Sequence, residues 1–161
     1  MHTLSLLMSI HTVLAVWKKL SPYGMGRWLF SYLIRFINPY TGSLGARVQV
    51  LEAGYAEVSL EDKKRNRNHL DCVHAIALTN LGEFTSGMAV LGSLEENIRG
   101  IVSHISVDFI KKARGRLRAV CQCNVPRVNK DTEFTVFSEI FDEDNELVSR
   151  VDVTWKLGLR R

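Results

Sequence analysis

The sequence predicts an α+β fold, one long curved antiparallel sheet wrapped around a single buried helix, with a helical hairpin in front. Two periodicities predict it. Between residues 75 and 91 apolar residues recur in steps of four and three, at Ala77, Leu81, Phe84, Met88 and Leu91, the spacing of a helix turned to a core. On either side the period falls to two, giving the order β-β-α-β-β-β-β. Composition bounds the answer: 161 residues with 46% hydrophobic content fill one domain with a real core and exclude a disordered chain.

Taken in order, residues 9–20 predict a short helix with Ile10, Val13, Leu14 and Trp17 on one face. Ser21-Pro22-Tyr23-Gly24 breaks it. A second helix follows, with Met25, Trp28, Leu29, Tyr32, Leu33, Phe36 and Ile37 at three–four spacing, and Asn38-Pro39 ends it. We read residues 1–38 as a helical extension that packs on a main domain of residues 39–161. An interfacial membrane contact, flanked by Lys18, Lys19, Arg27 and Arg35, is the less favoured use of this hairpin. A wall of an acyl pocket is another. Met8-Ser9 would also make a start, with Ser9 as helix cap and residues 1–7 dispensable. Residues 3–17 are mostly apolar, but no Lys or Arg precedes them and His11 interrupts them, so we read no targeting signal and expect a cytoplasmic protein.

From residue 44 the alternation begins. Ala46, Val48 and Val50 oppose Ala56, Val58 and Leu60 across a Glu52-Ala53-Gly54 turn, a β-hairpin. A polar, basic stretch leads to the central helix, which Gly92 is placed to stop. Four strands complete the chain. In Ile101–Ile110 we place Ile101, Ser103, Ile105, Val107 and Phe109 on one face. Leu117–Val125 turns Leu117, Ala119, Cys121 and Cys123 to one side. Thr132–Asp142 and Leu147–Leu157 direct Val136, Ile140, Val151, Val153 and Trp155 inward. Net charge is +4, too mild to argue for nucleic acid. Three cysteines at no metal-ligand spacing give neither a disulfide framework nor a metal site.

One acid, Glu83, interrupts the central helix, and a buried acid costs free energy unless it is paired or used. An amide, Asn68, stands in the loop before that helix. The loop reads Asn68-His69-Leu70-Asp71-Cys72-Val73-His74-Ala75, with Glu83 nine residues after His74. Together with the strand order, this resembles the hotdog fold, closest to the PaaI-like acyl-CoA thioesterases and the related YiiD C-terminal-like group. Those enzymes carry Asn-x-x-Gly-x-x-His-Gly entering the central helix and an Asp or Glu nine residues after the His. The chain departs from the pattern at Asp71, where the family has Gly and where an Asp could cap the helix, and at Ala75.

The resemblance implies thioester hydrolysis, with Glu83 as general base or nucleophile and Asn68 orienting water or carbonyl. The free N–H groups of Ala75 and Ile76 would polarise the carbonyl at a helix start. His74, His69, Thr79, Ser86, Ser103 and Ser106 are possible assistants, His74 chiefly as a brace for the loop. Lys111, Lys112, Arg114 and Arg116, with the run Lys63–Arg67, suit coenzyme A phosphates. The substrate would be an acyl-CoA or an acyl carrier protein thioester, with no cofactor beyond the coenzyme A it carries. Nine residues turn a helix by about 900°, which sets Glu83 opposite His74, so one chain is not expected to focus both on one atom. The resemblance to hotdog enzymes implies that the site is shared across a homodimer or a dimer of dimers. His69, fourteen residues before Glu83, keeps a hotdog β-hydroxyacyl dehydratase or enoyl hydratase as the alternative, beside a non-catalytic acyl-binding hotdog.

Overall fold

The computed structural model describes residues 10–160, with side chains from Thr12 onward. The expectations for residues 1–7, Met8 and Ser9 lie outside the described residues. Strands β1 (Arg47–Glu52), β2 (Tyr55–Leu60), β3 (Ile98–Phe109), β4 (Leu117–Gln122), β5 (Thr132–Phe141) and β6 (Leu147–Leu159) form one antiparallel sheet. Its order is β1-β2-β4-β5-β6-β3. Helix α4 (Ala75–Leu91) connects β2 to β3 and packs against every strand. Three helices precede the sheet: α1 (Ile10–Leu20), α2 (Gly24–Ile37) and α3 (Pro39–Leu44). This is the α+β arrangement of one antiparallel sheet around a single helix that the alternating and three–four periods predict, it is the fold that the resemblance implies, and α4 has the predicted ends.

The core lies between α4 and the sheet. Leu81 and Ala89 of the helix meet Val58, Leu117, Ile140, Val151 and Val153 of the strands, all fully buried. Leu81 alone, burying a whole Leu side chain, contributes about 2 kcal/mol. The helix also comes close to the sheet at Gly82, where a Cβ would stand 2.4 Å from Val151 Cγ2. The Ser138 hydroxyl of β5 donates to the Gly82 carbonyl at 2.8 Å.

Four details differ from the periodicity. In β1 a bulge between Val48 and Val50 passes the inner face to Leu51, which pairs with Ala56 and is buried in place of Val50. In β3 a second bulge sits at Ser103, between the pairs Val102↔Trp155 and His104↔Thr154. One extra residue swaps the faces. Val102, Ile105, Val107 and Phe109 share the α4 side with Trp155, Val153 and Val151, whereas Ile101 and His104 face outward. Third, the short helix α3 has no periodic signature. It starts at Pro39, with the Asn38 side chain accepting from the Thr41 N–H.

The fourth difference is in α2. The residues it buries are Gly26, Phe30, Ser31 and Ile34, not the three–four stripe. Gly26 lets the chain end of α1 approach so closely that a Cβ would lie 1.9 Å from the Leu20 carbonyl oxygen. Phe30 meets Trp17 edge to face at 5.0 Å. The Ser31 hydroxyl accepts from the Val48 N–H at 3.0 Å, which satisfies an outward N–H of the edge strand β1. Met25, Trp28, Leu29, Tyr32, Leu33 and Phe36 consequently face solvent.

Candidate active site

The loop before α4 is held by its own side chains. The Asn68 N–H donates to the Cys72 carbonyl, and Asn68 Oδ1 accepts from the Leu70 N–H at 2.9 Å and the Cys72 thiol at 3.4 Å. This is an Asx turn that fixes the side chain and leaves its Nδ2 as the donor. The turn forces residue 71 into the left-handed region, and Asp71 has φ +53°. Asp tolerates that region better than most residues, and Gly tolerates it at no steric cost, so the departure from the family pattern keeps the backbone shape. The Asp71 carboxylate points outward onto Arg67 Nη1 at 2.8 Å.

Asp71 does not cap α4, contrary to expectation. His74 does, its Nδ1 accepting from the Ile76 N–H at 3.0 Å, which leaves the imidazole proton on Nε2. The cap also corrects the expected pair of free donors. The Ile76 N–H is engaged, and the Ala75 N–H alone has no partner among the described residues. It points out of the helix start with the helix dipole behind it.

Glu83 lies eight residues after Ala75, about 12 Å along the axis. It is half-buried and opens on a groove of about 270 Å³ lined by Val13, Ile34, Ile37, Phe84, Met88 and Trp155, among others. No lining side chain besides Glu83 is titratable. Burial pushes its carboxyl above the ordinary glutamate range. Neither carboxylate oxygen has a hydrogen-bond or ionic partner among the described residues. The Ser86 hydroxyl donates to the Glu83 backbone carbonyl and the Thr79 hydroxyl to that of Ala75, so both assist the helix rather than the acid. A second groove of about 540 Å³ covers the helix start and is lined by Tyr40, Arg65, Arg67, His74, Ile76 and Asn80. One chain therefore keeps the carboxylate and the helix start in separate grooves.

Other expected residues scatter. Ser103, in the β3 bulge, donates to the Thr154 carbonyl, and Ser106 is on the outer face of the sheet, opposite Asp152. His69 is exposed in the loop and lines neither groove. The basic run divides: the Lys111 ammonium is held by Asp142 and Glu146, and Arg116 faces Glu61. Arg114 donates to the Asp71 carbonyl at 3.2 Å, beside the Asn68 loop, and Lys112 is exposed. In the second basic run Arg67 is paired with Asp62 and Asp71, whereas Arg65 donates to the Leu44 carbonyl and meets no carboxylate among the described residues. Sequence reasoning missed Asn80. Its Nδ2 donates to Thr41 Oγ1 while its Oδ1 is buried with no partner, on the helix face that carries Glu83 three residues on. An amide inside an otherwise apolar helix was the available signal.

Residues 26–157 match the model of a family described as a domain of unknown function, DUF4442. Among solved structures the chain is similar to a structural-genomics protein, APC5556, at 26% identity and TM-score 0.79, over 92% of this chain and 99% of that one. It is also similar to PA5026 from Pseudomonas aeruginosa, a protein of unknown function named a probable thioesterase, at 23% identity and TM-score 0.73, over 81% and 93%. Thioesterase HI1161 from Haemophilus influenzae follows at 18% identity and TM-score 0.67, over 76% and 84%. These likenesses establish the hotdog fold. A search of curated proteins finds no match.

Proposed function

We propose that this chain, which belongs to the DUF4442 family, is a thioesterase that hydrolyses acyl thioesters of coenzyme A, in the manner of the PaaI-like hotdog enzymes. The observation that carries the proposal is the Glu83 carboxylate, raised by burial and unpartnered in an apolar groove. A carboxylate so placed is without donors to stabilise its charge and takes up a proton more readily than an exposed one, the condition of a general base. It takes a proton from water. The resulting hydroxide attacks the thioester carbonyl, and the oxyanion rests on the Ala75 N–H. The C–S bond then breaks, and the proton returns to the leaving thiolate. Asn68 Nδ2 orients the carbonyl or the water. The apolar groove takes acyl chain, and Arg65, Lys112 and Arg114 are the cations available to the phosphates. No cofactor takes part.

The two halves of the site come together across a homodimer, with Glu83 of one subunit facing the Asn68–Ala75 loop of the other. Supporting this, β3 pairs with β6 alone among the described residues and leaves its other edge open, and two of its helix-side residues, Ile105 and Phe109, are 36% and 52% exposed. Open edges with apolar flanks are uncommon unless covered. The test is complementation. Glu83→Ala and Asn68→Ala are each expected to abolish thiol release from an acyl-CoA panel. Co-refolded in equal amounts, they should recover about a quarter of wild-type activity, since half of randomly assorted dimers are mixed and each holds one intact site. Full activity in either single variant would refute the assignment. Failure of the mixture to recover would refute the shared site. Hydration of enoyl substrates without thiol release would favour the dehydratase.

A further inference from the structure

The outward stripe of α2 serves neither the core nor the candidate site. Trp28, Tyr32 and Phe36 form a continuous ladder of rings, Trp28 stacked on Tyr32 at 5.6 Å and Tyr32 edge to face with Phe36 at 5.6 Å. Met25, Leu29 and Leu33 complete it, along a 14-residue helix about 21 Å long. Exposure is 81% at Met25, 63% at Phe36 and 51% at Trp28. Cations border the rings. Arg35, Arg47 and Lys63 share a cleft with Trp28 and Tyr32, and Arg27 lines the adjoining one. None of the four pairs with a carboxylate among the described residues. The sequence contains no Asp or Glu before Glu52.

This charge balance selects the occupant. Two copies meeting through this face would set arginine against arginine with no acid between them. We propose that the face docks on an anionic phospholipid bilayer, with α2 lying in the interface plane. The rings sit at the headgroup–acyl boundary, and Arg27, Arg35, Arg47 and Lys63 contact lipid phosphates. No described helix is long and apolar enough to cross a membrane, so attachment through α2 is peripheral. The opposite face of α2 lines the Glu83 groove through Ile34 and Ile37, so docking brings that groove within about 10 Å, one helix diameter, of the lipid.

The sequence supplies its own probe. Of three tryptophans, Trp17 and Trp155 are buried and Trp28 is exposed. The full chain should sediment with vesicles of equal parts phosphatidylglycerol and phosphatidylcholine but not with phosphatidylcholine alone, its emission shifting to the blue and reverting in high salt. Trp28→Phe should bind without the shift. The double variant Trp28→Ser/Phe36→Ser should lose about tenfold or more in partition, and Arg35→Glu/Arg47→Glu should lose the anionic preference. Folding of each variant is followed by circular dichroism. All should hydrolyse soluble short-chain thioesters at the wild-type rate, a control that rests on the proposed thioesterase function. The proposal is overturned if the folded wild type ignores anionic vesicles, or if both double variants bind as it does. It is equally overturned if Trp28→Ser/Phe36→Ser changes the oligomeric state by light scattering and leaves partition unchanged, because a second copy then covers the face.

Discussion

Replacing Glu83 by glutamine removes one charge and keeps the shape, which separates two roles that a buried acid can have. Moving a charge out of water costs several kcal/mol when burial is complete. Glu83 keeps part of its hydration, has no donor among the described residues and faces a groove whose other lining residues carry no charge, so about 1–2 kcal/mol of that penalty remains. The folded carboxyl titrates above its unfolded value. The folded state is thus relatively most stable below the unfolded carboxylate range, and loses stability as pH rises through Glu83's own raised value. Glutamine does not titrate. Glu83→Gln should therefore melt about 3–6 °C above wild type at neutral pH, and the difference should close as pH falls toward the ordinary carboxylate range. Hydrolysis should drop by about 10²–10⁴-fold. The assays are thermal melts across pH and thiol release under the same buffers. A variant that melts lower than wild type at neutral pH, with activity retained, would mean that the carboxylate is a satisfied structural acid.

Further outcomes test the supports of the site. At Asp71, glycine removes the cost of a Cβ in the left-handed region but adds unfolded-chain entropy, each about 1 kcal/mol. Asp71→Gly should thus denature within about 1 kcal/mol of wild type in urea, whereas Asp71→Val should lose about 1–3 kcal/mol. Equal losses for the two would refute the turn argument. Ser31→Ala leaves the buried Val48 N–H without its acceptor and should cost about 1–3 kcal/mol. Amide exchange at Val48 should quicken, and unchanged protection there would disprove the link between α2 and β1.

The sheet was legible because its strands bury one face, as the alternation along β6 shows. Helix α4 was legible for a different reason: it is apolar and buried around most of its circumference between Ala77 and Val90, so only its length and its ends had to be read. Bulges were not legible, since Gln49 and Ser103 have the same chemistry whether they sit in a ladder or beside it. The stripe of α2 misled because the helix is apolar on two sides. Spacing identified both faces, but only Gly26, the small residue that permits close approach, marks the one that packs. At the candidate site, the nine residues from His74 to Glu83 set the acid about two and a half turns from the start of α4, and the structure has the two in separate grooves. The Ile76 N–H was expected free because a histidine cap has no strong sequence signature: Ser, Thr, Asp and Asn are the residues that announce caps. The ion pairs that occupy Lys111 and Arg116 were invisible, because Asp142, Glu146 and Glu61 reach these cations only in three dimensions.

The clamp on α4 at Gly82 has a mechanical consequence. The helix is held against Val151 by a missing side chain and tied to β5 through Ser138, one residue before the acid. That point is a fulcrum. A helix tilting about it would sweep its start at Ala75 through an arm of about 10 Å, while Glu83, beside the pivot, would scarcely move. The Glu83 carboxylate is thus mounted where such a tilt would move the helix least, and the free Ala75 N–H where it would move it most.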